Sequence, residues 1–295
     1  MAQTSPPNRL PVSIEVAPRA LIAAGDISGL IPKGTAVYIV DMESTIHTNA
    51  EIAAAASTIR KAGAVPVPHI AARRLLGLAT LEERLKRLSS EAGVTDVLVI
   101  GGGAREPQGP FASSMDVLSS GLLDRYGVKR IGIAGHPEGS PDITPEQIET
   151  ALAQKIEFGK RTNAEMRIVT QFGFDTDRLF KWAAGLQAAG VSLPIHAGIA
   201  GPASIASLLK FAVLCGVKAS TEFLSRKGSA IATLLTGYDP EHMAAEIEAR
   251  AGLPGDAIAA LHIFPFGGIK KASEWLRRRG SWTAPSLPTH ARETP

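Results

Sequence analysis

Short apolar runs alternate with longer stretches of helical periodicity along the whole chain. The runs Val12–Val16, Ala36–Val40, Ala64–Ile70, Asp96–Gly101, Arg130–Gly135, Met166–Phe172, Pro194–Ile199 and Ile258–Phe264 have the length and β-branched content of buried strands. Helical patterns lie between them, near Ala20–Leu30 and over Asn49–Ala62, Leu78–Ala92, Ser114–Tyr126, Thr176–Ala189 and Pro202–Gly216. Thr144 reads as an N-cap, with Pro145 at the first helical position and Gln147 three residues on, opening a helix that runs to about Asn163. Two further helical stretches, Ser220–Thr236 and Pro240–Ala251, separate the seventh and eighth strands, and Lys270–Arg279 closes the pattern.

Strand followed by helix, repeated eight times, predicts an α/β fold: a (β/α)8 barrel of the TIM type with extra helices between strands 7 and 8. An open doubly wound sheet is the competing architecture. The 295 residues suit one such barrel, and neither an internal repeat nor a low-complexity linker divides them. The expected organisation is a single catalytic domain over 1–280 and a loose tail over Ser281–Pro295.

Composition narrows the class. The chain is 45% hydrophobic and only 5% aromatic, so Ala, Leu and Ile must carry the core. A net charge of +3, from 31 basic and 28 acidic residues, is too mild to point to nucleic acid. Cys215 is the only cysteine, which rules out an intrachain disulfide and a thiolate metal site. It sits in the apolar run Leu208–Val217 and reads as a small buried side chain. The first residues lack an apolar signal core, and no run approaches the ~20 residues of a membrane helix. A cytoplasmic location is expected.

Barrels bind ligands where their strands end, so candidate chemistry is sought there. In strand one the period of two puts Ser13, Glu15 and Ala17 on one face and Val12, Ile14 and Val16 on the other. A carboxylate among such neighbours is costly unless it is paired or working, and the structural alternative is an ion pair with Arg19. His69 ends strand three. Strand four breaks into Gly101, Gly102 and Gly103, a turn that lets main-chain N–H groups approach a phosphate or a flat ring. The triplet has neither the Lys-Ser/Thr of a P-loop nor the spacing of a dinucleotide fingerprint. His136 and Glu138 follow strand five, Gln171 ends strand six, His196 lies in strand seven, and His262, Phe264 and Phe266 end strand eight. No grouping has metal-ligand spacing, so no metal is expected. The mouth reads as an organic-ligand site with Glu15 as its principal acid.

These residues resemble methylenetetrahydrofolate reductase. Ile-Val-Thr-Gln-Phe-Gly-Phe-Asp (168–175) is similar to that family's Ile-Thr-Gln-Phe-Phe-Phe-Asp, the most specific part of the likeness. Pro-Ile-His-Ala-Gly-Ile-Ala-Gly-Pro, Ile-Ala-Gly-His-Pro-Glu-Gly-Ser-Pro-Asp and Ser-Ile-Glu-Val-Ala-Pro-Arg support it at strands seven, five and one. The resemblance implies hydride transfer that interconverts 5,10-methylenetetrahydrofolate and 5-methyltetrahydrofolate, with NADH or NADPH as reductant and FAD as the usual carrier. It implies Glu15 as general acid opening the methylene bridge. It places Gln171, Phe211 and Gly103 beside the folate, and His69, Gly101, Gly102, His136 and Glu138 on the cofactor side. Either Lys155 or Lys160 would meet cofactor phosphates, because the helix after Thr144 is longer than the family pattern.

The departures fall on the cofactor side. Gly101-Gly102-Gly103 replaces an Arg-Gly-Asp beside flavin and pterin, and His136 replaces a tyrosine. The expectation is therefore folate chemistry with FAD binding altered, weak or absent. Two alternatives stand beside it: a methyltetrahydrofolate-binding methyltransferase, which would want an Asn- and Asp-rich pterin site, and a non-catalytic folate-binding barrel. Expected partners are the folate and, in a homo-oligomer, a second copy of the chain, with neither nucleic acid nor membrane.

Overall fold

The computed structural model describes residues 9–41, 47–140, 143–214, 237–251 and 256–282. Eight parallel strands close into a barrel in chain order: β1 (Val12–Val16), β2 (Ala36–Ile39), β3 (Val65–Ala71), β4 (Asp96–Ile100), β5 (Arg130–Gly135), β6 (Glu165–Gly173), β7 (Ile195–Ala200) and β8 (Ile258–Phe264). The ring shuts where β8 pairs with β1, Val12 opposite Leu261 and Ile14 opposite Ile263. The open-sheet alternative is thereby excluded.

The helices are α1 (Pro18–Ala24), α2 (Asn49–Lys61), α3 (Leu78–Ala92), α4 (Ser114–Leu118), α5 (Leu122–Arg125), α6 (Pro145–Arg161), α7 (Thr176–Ala188), α8 (Ile205–Leu214), α9 (Glu241–Arg250) and α10 (Ile269–Arg278). Thr144 caps α6 as its spacing predicts: its side chain accepts from Gln147 N, Gln147 answers at the cap N–H, and Pro145 fills the first turn. Thr48 and Glu51 do the same for α2.

Two helices differ from the sequence expectation. The segment read as one helix over Ser114–Tyr126 is two, because Gly121 takes a left-handed φ of 71° and Ser120 Oγ diverts a hydrogen bond to Val117 O. The helix read near Ala20–Leu30 starts at Pro18 and stops at Ala24, where Gly25 turns left-handed (φ 66°). Of the extra helices before β8, α9 is present; Ser220–Thr236 lies outside the described residues, as does Cys215. In the tail, Trp282 is buried in the main core, and 283–295 lie outside the described residues.

Alternation sorts each strand. Ile14, Ile39, Val97, Ile133, Ile168 and Ile263 point out into the helix layer and form the main core. Tyr38, Val67, Leu98 and Val169 point inward as a separate cluster. The barrel interior also holds charge. Arg167 donates through Nε to Tyr38 Oη at 2.9 Å and through Nη2 to Asp96 Oδ1 at 2.8 Å, while Arg130 Nε reaches Asp96 Oδ2 at 3.0 Å. Gly132 makes room for it: a Cβ there would stand 2.9 Å from Leu98 Cδ1 and 3.6 Å from Arg167 Nη2. Burial pushes the Tyr38 hydroxyl up to about 12, so it stays protonated.

Candidate functional site

Glu15 is the second-last residue of β1 and is only 7% exposed. It does not meet Arg19, the partner that chain proximity suggested. Its Oε1 lies 3.1 Å from Nε2 of His69, itself buried on β3, with β2 between them. That Nε2 lacks the direction of a hydrogen bond to the carboxylate and is otherwise unpartnered. A buried acid thus faces a buried imidazole, and neither has another ion-pair partner among the described residues.

Aromatic and imidazole rings surround the pair. Tyr38 stands edge-on to His262 at 4.4 Å and to His69 at 6.2 Å. Ser13 Oγ and His262 Nδ1 share a hydrogen bond of 2.9 Å. His262 is fully enclosed, which holds it well below the usual imidazole value. His196 falls to about 4, mainly by burial and then by the nearby Arg167 charge. Both are neutral at pH 7.

The glycines after β4 are not equivalent. Gly102 has φ 88°, and a Cβ there would lie 3.3 Å from Ala71 Cβ, so the turn itself requires glycine. Gly101 has nothing within 4 Å of its missing Cβ, and its carbonyl accepts from Arg73 N at 2.9 Å. Gly103 is exposed. The space beside the backbone is thus open at Gly101 and filled by Ala71 at Gly102.

The two candidate lysines separate clearly. Lys160 is exposed, 3.8 Å from Glu157, on an outer groove with Trp182 and Leu186. Lys155 is buried on the inner side of α6, without a hydrogen-bond or carboxylate partner among the described residues. Burial alone lowers its amine to about 8. Its charge joins burial in lowering His136, at the end of β5, to about 4. Glu138 lies over the end of β6, with Oε1 2.8 Å from where a Gly173 Cβ would sit.

On the opposite side of the mouth the sparse aromatics gather. Phe172 packs on Phe264 (5.5 Å) and Phe266 (4.8 Å), and Phe211 stacks on Phe266 at 4.4 Å and 18°. Gln171 is half-exposed beside them, its carboxamide without a partner among the described residues. The register of β6 on β7 shifts here, between Val169 and Phe172.

Tyr38, Arg167, Thr170 and Phe172 also shape the site. Tyr38 and Arg167 carried a signal: a polar residue between apolar ones in a strand points into the barrel. Thr170 and Phe172 stood out through the family-like Thr-Gln-Phe run, but the register shift between them left no mark in the sequence. Among the described residues no cluster of three His, Cys, Asp or Glu is placed to hold a metal ion. Among the described residues no helix is long and apolar enough to cross a membrane.

Known proteins bear on this arrangement. A family model described as methylenetetrahydrofolate reductase matches residues 39–232. An Arabidopsis thaliana methylenetetrahydrofolate reductase (NADH) 1 is 31% identical over 126 residues, 39% of this chain and 20% of that protein. Methylenetetrahydrofolate reductase 1 of Schizosaccharomyces pombe is 36% identical over 95 residues, 32% of this chain and 15% of that protein. The matches thus span a fifth or less of these relatives. Among solved structures, an uncharacterized Clostridium thermocellum protein that binds two copies of 5-methyl-5,6,7,8-tetrahydrofolic acid superposes with a TM-score of 0.53 over 88% of this chain and 90% of that one. At 13% identity this likeness speaks for the fold alone. Glu15 and the Phe264–Phe266 wall lie outside the family match, whereas His69, the glycine turn, His136, Lys155, Gln171 and Phe211 lie inside it. The match takes in well over half of the 295 residues, and this chain belongs to the methylenetetrahydrofolate reductase family.

Proposed function

We propose that this protein interconverts 5,10-methylenetetrahydrofolate and 5-methyltetrahydrofolate, with Glu15 as the general acid. The observation that carries the reading is the buried Glu15–His69 pair: an acid placed at the ligand end of β1, with an imidazole 3.1 Å away and no Lys or Arg ion pair among the described residues. Protonation of the bridge nitrogen by Glu15 opens the five-membered ring to an iminium. Hydride then adds to the exocyclic carbon, giving the methyl group. Gln171 offers a free carboxamide to the polar edge of a pterin, and the Phe211–Phe266 stack offers a flat apolar face to its aromatic extension. The open space over Gly101 suits a ring lying flat, on the folate or the cofactor side.

The residues present fit a dinucleotide cofactor. Lys155 is a desolvated cation lacking a carboxylate partner among the described residues, which an anionic diphosphate would supply; His136 and Glu138 line the same side. A reduced nicotinamide, directly or through FAD, supplies the hydride when bound. The loss of charge at Gly101–Gly103 supports weaker flavin binding than the family norm. The test is NAD(P)H-dependent turnover of methylenetetrahydrofolate by purified protein, with flavin measured by absorbance near 450 nm. Turnover lost in Glu15→Gln supports the reading, and full turnover in that variant overturns it. A stoichiometric flavin spectrum overturns the weak-flavin part alone.

A further inference from the structure

We propose that Thr170 is a positioning residue for the folate site: its hydroxyl builds the bulge in β6 that fixes Gln171 and turns Phe172 into the mouth. The inference rests on the folate reading above and deepens it.

Parallel strands keep an even ladder, yet Val169 pairs with His196 and Phe172 with Gly198. Three steps on β6 thus answer two on β7, and one residue is extra. The bulge disturbs the ladder at Gly198. Thr170 Oγ1 replaces the missing main-chain acceptor, taking the Gly198 N–H at 2.7 Å. The same hydroxyl donates to Gln171 O at 2.8 Å. Its donor and one acceptor position are both used, and the residue is 2% exposed. The close approach depends on Gly198: a Cβ there would stand 2.5 Å from Thr170 O and 2.6 Å from Gln171 O.

The extra residue decides which side chains face the ligand. Strict alternation from the inward Val169 would send Phe172 out to the helix layer. Instead Phe172 is 1% exposed in the cluster with Phe264 and Phe266. Gln171, whose carbonyl the hydroxyl grips, sits at the bulge itself. Thr170 therefore touches neither ligand nor reacting atoms, and acts through its neighbour.

The experiment compares full-length Thr170→Val, which keeps the shape, with Thr170→Ser, which keeps the hydroxyl. Steady-state kinetics with methylenetetrahydrofolate, equilibrium binding of methyltetrahydrofolate and hydrogen exchange at the Gly198 amide are measured. The expected result for Thr170→Val is a rise in folate KM and Kd of about tenfold, from Gln171 and Phe172 moving out of place, with kcat within about twofold. Gly198 exchange accelerates in the same variant, and Thr170→Ser returns all three toward wild type. In a Gln171→Ala background, Thr170→Val raises KM by less than it does in wild type. If Thr170→Val fails to fold, Thr170→Ala, which leaves room for a water on Gly198 N–H, carries the same comparison. An unchanged KM and Kd in the hydroxyl-free variant, or full additivity with Gln171→Ala, overturns the proposal. Wild-type protein that neither binds nor turns over folate overturns the functional reading and this inference with it; wild-type binding with an indifferent variant overturns the inference alone.

Discussion

Two sets of polar side chains differ in how they are partnered. Around the first strand's start and within the lower barrel the charges described are paired. Arg9 and Arg279 both reach Glu248 (2.7 and 2.9 Å), Arg279 also reaches Glu241 at 2.9 Å, and Asp96 is shared by Arg167 and Arg130. At the mouth, Lys155 has no counter-charge, Gln171 has no hydrogen-bond partner among the described residues, and Glu15 faces only an imidazole. Burying a charge without a partner costs stability, so a fold keeps such a group where a ligand completes it. Under the function proposed above, the unpartnered groups are the ones a ligand completes, while paired clusters such as Asp41 with Arg74 and Arg84 hold the barrel.

The contrast can be broken most sharply at Glu15. Glu15→Gln should lower turnover by about 10²–10⁴, the usual worth of a general acid, while methyltetrahydrofolate binding changes little. Kinetics alongside equilibrium binding read the split; equal loss in both would mean that Glu15 holds substrate rather than moving a proton. On the paired side, Asp96→Ala leaves Arg167 buried without its carboxylate and should cost about 3–5 kcal/mol in chemical denaturation. A cost below about 1 kcal/mol would show that water reaches the barrel interior.

Lys155 gives the opposite sign. Its amine titrates near 8 in the fold against 10.5 when exposed, so folding is penalised in full below pH 8 and the penalty fades as pH rises to about 10.5. Lys155→Met should therefore stabilise the unliganded protein by about 3 kcal/mol at pH 7, with no gain above pH 10.5. The same variant should bind NAD(P)H or FAD more weakly, and wild type should take up a proton on binding the anion near pH 8–9, a heat detectable by calorimetry in buffers of different ionisation enthalpy. The smallest effect belongs to Lys160→Ala. That exposed amine should leave cofactor affinity within about twofold, because water already solvates it. Matching losses in both lysine variants would erase the distinction between them.

Much of the architecture was legible in the residues. Eight apolar runs gave eight strands, and Thr144-Pro145 with Gln147 gave the start of α6, because period and cap chemistry are local. Glu15 could be assigned to the inner face by alternation, but its partner could not: His69 is 54 positions away and comes alongside only once β2 is laid between them. Neither could the helical phase that sends Lys155 inward and Lys160 outward be fixed without knowing which side of α6 packs. The bulge at Thr170 lay beyond reach for a related reason. It is a property of two strands in register, and the run Ile-Val-Thr-Gln-Phe alone does not say which residue is extra.

The seam between β1 and β8 has a consequence for how the molecule is made. Val12 meets Leu261 only after the last strand has been synthesised, so an emerging chain carries β1 with one side of its ladder unpaired. An apolar strand edge left open in that interval can pair with the same edge of another nascent chain. Arg9, reaching Glu248 beside Arg279, latches the two ends together once the ring is shut. Yield during synthesis should therefore depend on residues near this latch, at the opposite end of the barrel from Glu15 and Lys155.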